Sequence, residues 1–219
     1  MKYGLSYTLI TRVTAFLGRT VLHWRKTELN YMVSMLKEKK NIRILDFGCN
    51  TGYFLKIIKD KYPAAEFNLC GADINQYALK YARKKYTNFD FFEINNHFFE
   101  KEKFDVVIIS HVLEHIKERN EIVANLSKSL KKNGELIVAI PQERIRGDCS
   151  IAQLLYNFMR LRFENPHVVK INYDQLNDLL SNNGFNISNH TYTNFFYPLI
   201  SKKKKFYSWS LVVSALKRT

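Results

Sequence analysis

Three residues near the middle of the chain, His111, Glu114 and His115, have the spacing of a metal site. They form the pattern His-x-x-Glu-His, in which two histidines on one helical face bind zinc and the glutamate acts as a base. The same residues also follow a short apolar segment, residues 104–110, that is typical of a buried strand. In an α/β enzyme the loop after such a strand faces a ligand. The pattern alone leaves the zinc helix and the ligand-facing loop both open.

A second segment with chemical potential is rich in glycine and begins with an acidic side chain. Residues 46–52 read Asp-Phe-Gly-Cys-Asn-Thr-Gly. A dinucleotide fingerprint would place glycine at positions 48, 50 and 53, but the chain has Asn50 and Tyr53, which disfavours NAD. Gly48 allows the backbone to approach a ligand, and Gly52 allows the next helix to pack close to the strand. Asn50 tolerates a left-handed conformation better than most residues do.

Asp73 ends the next strand-like segment, 21 residues after Gly52. A carboxylate at the carboxyl end of the adjacent strand is where a ribose diol is held in dinucleotide sites. Asp73 could instead cap the helix that begins near Asn75. Because it is coupled to the glycine turn at this separation, the ribose interpretation is favoured.

Strand-like and helix-like segments alternate through the middle of the chain, which indicates a parallel sheet with helices on both faces. The predicted strands are 41–47, 66–73, 88–94, 104–110 and 134–140, and the predicted helices are 53–62, 75–86 and 119–134. A further helix is predicted over 172–184, with Asn172 and Gln175 as a capping pair and Gly184 as its stop. Two strands around the lysines at 202–205 then predict an antiparallel pair at the end of the sheet.

These segments, taken in order, resemble the class I S-adenosylmethionine-dependent methyltransferases. The resemblance extends from Asn41 to the C-terminus, and its motifs are residues 44–52, 70–75, 104–116, 130–141 and 171–185. It implies an α/β, Rossmann-like doubly wound sheet, mostly parallel with an antiparallel C-terminal strand pair and helices on both faces. It also implies S-adenosyl-L-methionine as the cofactor. The cofactor-binding residues that it implies are Asp46, Gly48, Asn50, Gly52, Asp73, Ile74, Asn95 and Ser110.

The chain departs from this family at two positions. Asn50 stands where the family most often has glycine, and Asn95 stands where an aspartate usually contacts the adenine amino group. The resemblance also decides the first alternative. A zinc helix needs a third ligand, and the remaining candidates, His97, His167 and His190, lie in unrelated contexts. We therefore expect no metal, and we expect the segment around His111 to border the cofactor pocket.

The implied reaction is an in-line displacement, in which a nucleophile attacks the methyl group of the cofactor. A hydroxyl or ammonium acceptor must also lose a proton, and histidine is the natural base near neutral pH. The candidate bases are, in order, His111, His167 and His115. Packing within the fold is an equally good explanation for each of them.

The bulk composition limits the class of protein. The chain is 46% hydrophobic and 25% charged, as in globular proteins, and it contains no apolar run of eighteen residues. The scattered cysteines 49, 70 and 149 and the lack of a signal peptide predict a cytoplasmic protein. The net charge of +14 is compatible with nucleic acid, an anionic membrane surface or an acidic substrate.

The predicted organisation is an N-terminal helical cap, residues 1–40, followed by the methyltransferase domain, residues 41–219. Residues 146–171 form an inserted, lid-like segment within that domain. Residues 3–26 have apolar residues at helical spacing and a basic side. Such a helix can pack on the sheet, cover the acceptor pocket or make a peripheral membrane contact; we expect the pocket cover.

The expected activity is methyl transfer to a small-molecule acceptor such as a metabolite, a sugar or a lipid-like compound. The first alternative is an RNA or DNA methyltransferase. Amino-methylating enzymes of that kind often carry Asn/Asp-Pro-Pro-aromatic after the fourth strand, where this chain has Ser-His-Val-Leu, so a nucleic-acid partner is not expected. The second alternative is a non-catalytic cofactor-binding subunit. The sequence leaves the acceptor and the oligomeric state open.

Overall fold

An eight-stranded sheet organises the part of the chain that the computed structural model describes, residues 23–95, 99, 102–142 and 169–218. Its strands are β1 Arg43–Phe47, β2 Asn68–Asp73, β3 Asp90–Glu93, β4 Phe104–Ser110, β5 Leu130–Pro141, β6 Phe185–Asn194, β7 Ile200–Ser201 and β8 Ser208–Lys217. The helices are α1 His23–Ser34, α2 Tyr53–Lys61, α3 Gln76–Lys85, α4 Arg119–Ser129 and α5 Tyr173–Asn182. A short 3₁₀ turn, Leu113–His115, follows β4.

The strand order is β3-β2-β1-β4-β5-β8-β6-β7. Strands β1 to β5 pair in parallel, whereas β8 runs antiparallel to both β5 and β6. The predicted fold class, with its antiparallel C-terminal strand pair, is therefore confirmed. Because β8 is antiparallel to both neighbours, β6 points in the same direction as the parallel strands. The carboxyl ends of β1, β2, β4, β5 and β6 consequently lie along one edge of the sheet.

Helices cover both faces of the sheet, because successive side chains of a strand point to opposite sides. Val107 and Ile109 of β4 contribute to the core beneath α4 and α5. Val106 and Ile108 contribute to the core that contains the buried residues of α1, α2 and α3. All four side chains are almost completely buried, and each contributes roughly 1.5–3 kcal/mol by leaving water. The doubly wound arrangement follows from these two apolar faces.

The predicted boundary between helix α4 and strand β5 needs correction. Helix α4 ends at Ser129, not at Gly134, because Leu130 already pairs with Phe104 and belongs to β5. The short strand β7 was not predicted. In contrast, the capping pair before α5 is confirmed, since the Asn172 side chain accepts from the Gln175 N–H and the Gln175 side chain accepts from the Asn172 N–H.

Most of the two segments predicted to cover the pocket lies outside the described residues. This applies to residues 1–22, and to residues 146–168 of the lid-like segment. The part that follows residue 22 forms α1, whose Leu29, Met32 and Val33 are buried against the sheet. Among the described residues, no helix has the length and apolar character required to cross a membrane. The division of the chain at residue 40 and the cytoplasmic location stay predictions.

Candidate cofactor site

The glycine turn after β1 is bound to the end of the neighbouring strand. The N–H groups of Gly48 and Cys49 both donate to the carbonyl of Ala72, at 2.7 and 3.0 Å. Gly48 has a φ of 84° and Asn50 a φ of 48°, so the turn requires left-handed backbone at both positions. Asparagine can therefore replace the family's usual glycine at position 50 without preventing the turn.

Gly48 is also crowded by the segment that follows β4. A Cβ atom at this position would lie 2.3 Å from Cγ2 of Val112. We expect Gly48→Ala to lower the free energy of unfolding by ~1–3 kcal/mol, because the left-handed backbone and the clash are both unfavourable. Urea unfolding of the four proteins of a double-mutant cycle with Val112→Ala measures the clash separately. If Gly48→Ala costs less stability in the Val112→Ala background, the difference measures the clash, and the loss that remains is the cost of the left-handed backbone. If the losses from the two substitutions simply add, this geometry is contradicted.

Asp73 connects the glycine turn to the beginning of α3. Its Oδ2 accepts from the Asn50 N–H at 2.7 Å, and its Oδ1 accepts from the Asn75 N–H at 2.8 Å. Burial raises the pKa of this carboxyl, and the hydrogen bonds from Asn75 and Asn50 oppose that rise. The cap of α3 is Asn75, whose side chain accepts from the N–H groups of Tyr77 and Ala78. The structure thus assigns the cap to Asn75 and leaves Asp73 at the strand end.

Two further residues predicted to bind the cofactor, Ile74 and Asn95, lie near this carboxylate in the fold, and Asn95 is the one predicted to contact the adenine. Ile74 directly follows Asp73 and exposes 54% of its surface, which is unusual among the large aliphatic side chains that the structure describes. Asn95 lies just after β3, which pairs with β2, and it is exposed. An exposed apolar side chain and an amide near the carboxylate of Asp73 are suitable for an aromatic base with a polar edge.

Asp46, near the end of β1, is the most perturbed acid of the site. It is 4% exposed, and burial raises its pKa to about 7, with a further contribution from the charge of Asp73. The positive charge of Arg25 acts in the opposite direction. A buried carboxyl of this kind is stabilised as the anion when a cation binds next to it.

Two of the residues predicted to bind the cofactor each have a buried side-chain oxygen without a hydrogen-bond partner, and both residues lie at this edge of the sheet. The two atoms are Oδ1 of Asn50, in the glycine turn, and Oγ of Ser110, at the carboxyl end of β4. Buried polar atoms without a partner are rare in proteins and require an explanation. Asn50 follows β1 and Ser110 ends β4, and these strands are neighbours, so both atoms lie at the same edge of the sheet.

His111, immediately after β4, lies between two buried carboxylates. Its Nε2 is 2.9 Å from Oε2 of Glu28, and its Nδ1 is 3.5 Å from Oε1 of Glu114. Arg25 also contacts Glu28. His111 has a left-handed backbone, with a φ of 56°, and its N–H donates to Ala139 of β5 at 2.9 Å. Helix α1, strand β5 and the 3₁₀ turn are therefore connected through this residue.

This arrangement keeps His111 protonated. Burial lowers the pKa of His111, but the charge of Glu28 and the hydrogen bonds with Glu114 and Glu28 together outweigh it and raise that pKa to about 9. Burial raises the pKa of Glu28, but Arg25 and His111 outweigh it and lower that pKa to about 2. At neutral pH the pair is thus an imidazolium and a carboxylate.

The comparison with known protein families decides what this sheet edge belongs to. A family model described as "Methyltransferase domain" matches residues 21–190. This chain belongs to the methyltransferase-domain family. The resemblance to class I S-adenosylmethionine-dependent methyltransferases is confirmed, and so is, at the level of the family, the prediction of a methyltransferase with S-adenosylmethionine as its cofactor.

Individual relatives agree with this family. The ubiquinone/menaquinone biosynthesis C-methyltransferase UbiE of Campylobacter jejuni subsp. jejuni serotype O:6 is 28% identical over 147 residues, which are 65% of this chain and 61% of that protein. The CurJ carbon methyltransferase has a TM-score of 0.70 at 18% identity, covering 94% of this chain and 58% of that one. Magnesium protoporphyrin IX methyltransferase from Synechocystis PCC 6803, solved with bound SAH, has a TM-score of 0.62 at 18% identity, covering 90% and 84%. The two structures are similar in fold.

The three candidate bases have different surroundings. His111 is held as an imidazolium, which cannot accept a proton, so its geometry favours positioning over base catalysis. His115 is partly exposed, with its Nε2 4.0 Å from Oε1 of Glu114. His167 lies outside the described residues. None of the three is tested as a base, and the assignment stays a prediction.

The zinc alternative finds no support in the methyltransferase structure. Leu113, Glu114 and His115 form a 3₁₀ turn, not the α-helix that would align the two histidines. Within the described residues, no group of three or more histidine, cysteine or acidic side chains could hold a metal ion. Sequence reasoning missed Glu28, the strongest partner of His111, because only the fold brings residues 83 positions apart together.

Proposed function

We propose that this protein transfers the methyl group of S-adenosylmethionine to a small-molecule acceptor. The observation that supports this most directly is a pair of carboxyls at the ends of adjacent parallel strands, the buried Asp46 and the half-buried Asp73, at the same edge as the two polar atoms without partners. This donor set fits a ligand with a diol, a cationic amine and further polar edges. The named activity of the UbiE relative, a quinone-biosynthesis methyltransferase, supports an acceptor with apolar character.

Each residue of the sheet edge has a distinct part in holding the cofactor. Asp73 accepts hydrogen bonds from the ribose hydroxyls, and Asp46 balances the charge of the methionine ammonium group. Ile74 packs against the adenine, and Asn95 provides an amide at its polar edge. When bound, the cofactor supplies an electrophilic sulfonium methyl group for in-line displacement. The protein contributes alignment, which is the main source of catalysis in such a reaction.

His111 contributes to that alignment by fixing the wall of the pocket after β4. Its contacts with Glu28 and Glu114 restrain α1 and the 3₁₀ turn relative to Ser110. A fixed wall excludes water from the reacting atoms and keeps the acceptor side of the pocket in one shape. Where the acceptor is a hydroxyl or an ammonium group, its proton passes to His115, His167 or solvent.

Replacing Asp73 by alanine tests the cofactor site. We expect the affinity for S-adenosylhomocysteine to fall by ~1–3 kcal/mol, the usual effect of losing hydrogen bonds to a charged group. Isothermal titration calorimetry of the full chain measures this. Asp90→Ala is the matched control, because Asp90 is exposed at the other end of the neighbouring strand β3.

An unchanged affinity in the Asp73 variant, with its thermal unfolding temperature preserved, would contradict the ribose assignment. Two further measurements separate the alternatives for function. Cofactor binding without turnover on any acceptor would support a non-catalytic subunit. Methylation of RNA or DNA that weakens steeply with salt would support a nucleic-acid substrate.

A further inference from the structure

The connection between β6 and β8 carries a cluster of exposed apolar side chains. We call residues 195–207 the hairpin tip. Eight large apolar side chains are more than about a third exposed among the described residues, and five of them belong to these thirteen residues. They are Phe196, 67% exposed, Tyr197, 89%, Leu199, 37%, Ile200, 47%, and Phe206, 78%. Exposed apolar residues that are concentrated in one place mark an interaction surface, whereas scattered ones do not.

The same tip is strongly basic. Residues 202–205 are four consecutive lysines, and residues 203–205 are exposed. The chain contains no acidic residue after Asp178, so no carboxylate of the C-terminal region offsets this charge locally. Aromatic and aliphatic side chains next to lysines are the composition that binds the boundary between lipid headgroups and acyl chains.

Hydrogen bonds give the tip a defined shape. The N–H of Asn194 donates to the carbonyl of Leu199 at 2.8 Å, and its side-chain amide donates to the carbonyl of Pro198 at 2.7 Å. The N–H of Phe195 donates to the carbonyl of Tyr207 at 3.0 Å. The exposed side chains are therefore presented by an ordered hairpin, which reduces the entropy lost on binding a surface.

The tip is close to the proposed site of methyl transfer. Strand β6 ends at the same edge of the sheet as β1, β2 and β4, which carry the cofactor residues. The ring of Phe195 packs against Trp209, with centroids 5.3 Å apart, and the centroid of Trp209 is 6.2 Å from that of His111. Two aromatic contacts thus connect the base of the tip to His111.

We propose that the hairpin tip docks on an anionic membrane surface and presents a lipid-soluble acceptor to the site. This rests on the proposed methyltransferase function and specifies its substrate class. The lysines fit anionic headgroups, and each contributes roughly fivefold to membrane binding. Leu199 and Ile200 favour a membrane over nucleic acid, because aliphatic side chains transfer well to the acyl region but cannot stack on bases.

Vesicle flotation of the full chain tests this proposal. The vesicles are phosphatidylcholine alone, or phosphatidylcholine with phosphatidylglycerol. We expect binding to the anionic vesicles only, and a loss of at least about tenfold in the partition coefficient for Lys203→Glu/Lys204→Glu and for Tyr197→Ser/Phe206→Ser. The matched controls are Lys61→Glu/Lys84→Glu, with the same change in charge, and Leu216→Ser, an exposed apolar residue near the other end of β8. Both should bind like the unaltered protein.

Calorimetry with S-adenosylhomocysteine on the same preparations distinguishes a failure of membrane docking from a failure of the proposed methyltransferase function. Retained cofactor affinity in the tip variants, together with lost flotation, supports membrane docking. Equal binding to both vesicle types, or equal losses in tip and control variants, overturns the proposal while leaving the cofactor site intact. Binding of an RNA oligonucleotide that the lysine variant loses and the aromatic variant keeps, without flotation, also overturns it. A protein that floats but binds no cofactor would contradict the proposed function instead.

Discussion

Replacing Asp46 by asparagine should stabilise the cofactor-free protein at pH 8 while greatly weakening cofactor binding. The pKa of Asp46 is about 7 in the folded chain, above its ordinary value of 3.8. The folded state therefore holds this proton more tightly than the unfolded state, and stability falls as the pH rises from about 4 to about 7. Asparagine does not ionise, so the variant escapes that loss. We expect it to gain ~1–3 kcal/mol at pH 8, below the ~4 kcal/mol that three pKa units would give.

The same change removes the charge that we propose for the cofactor ammonium group. Affinity of the unaltered protein for S-adenosylhomocysteine should rise between pH 6 and pH 8, as Asp46 becomes ionised. The Asp46→Asn variant should bind at least about tenfold more weakly at pH 8, and the part of the pH dependence that belongs to Asp46 should disappear. Urea unfolding at pH 5 and pH 8, combined with calorimetry at both, measures the two effects.

Asp178→Asn is the control, because Asp178 is an exposed carboxyl on α5. It should alter neither stability nor affinity at either pH. If Asp46→Asn destabilises the protein at pH 8 as much as at pH 5, then the pKa of Asp46 is not raised in the cofactor-free protein. If its affinity for the cofactor product is normal, another group balances the ammonium charge.

The sheet, the glycine turn and Asp73 could be predicted from sequence because their sequence patterns are local. Buried parallel strands give continuous apolar runs, so residues 104–110 were placed with both ends correct. The capping box before α5 depends on Asn172 and Gln175, three residues apart. Asp73 could be placed because the carboxyl ends of adjacent parallel strands meet at one edge.

The remaining features depend on contacts between distant parts of the chain. The sequence remains typical of a helix beyond Ser129, but helix α4 ends there because Leu130 pairs with Phe104 in the sheet. The position of the hairpin tip at the same edge as the cofactor residues follows from strand order, because β8 is antiparallel to both β5 and β6. Charge pairing between α1 and the loop after β4 has no sequence pattern at all. Predictions about the glycine turn and Asp73 thus came from spacing, whereas the surroundings of His111 required the fold.

Removal of Glu28 should produce the largest loss of stability. Glu28 is completely buried and contacts Arg25 and His111. Deleting one member of a buried ion pair typically costs ~3–5 kcal/mol, because the partner's charge stays buried. We expect ~2–4 kcal/mol for Glu28→Ala, since His111 can release its proton and reduce the penalty. Glu38→Ala is the matched control, because its side chain is 89% exposed in the same part of the chain.

The pH dependence of stability provides the sharper test of this pair. The raised pKa of His111 contributes stability that is complete below pH 6.5 and is lost as the pH rises toward about 9. The lowered pKa of Glu28 contributes stability that is complete above pH 4.5 and is lost as the pH falls toward about 2. The pair therefore stabilises the fold fully only between about pH 4.5 and pH 6.5. Glu28→Gln keeps a hydrogen-bonding side chain without the charge, so both slopes should flatten in that variant.

Nuclear magnetic resonance of the His111 ring measures the same coupling directly. In the unaltered protein we expect His111 to titrate near pH 9, and in Glu28→Gln its pKa should fall well below 9, because Glu114 alone then opposes the effects of burial and of Arg25. A neutral His111 could accept a proton at pH 7, so the variant also tests whether positioning or base catalysis is its function. If both the His111 pKa and the rate of methyl transfer are lower in Glu28→Gln than in the unaltered protein, the enzyme uses His111 as the imidazolium that α1 holds in place. A His111 that titrates near 6.5 in the unaltered protein, with full activity in Glu28→Gln, would restore it as the leading candidate for the base.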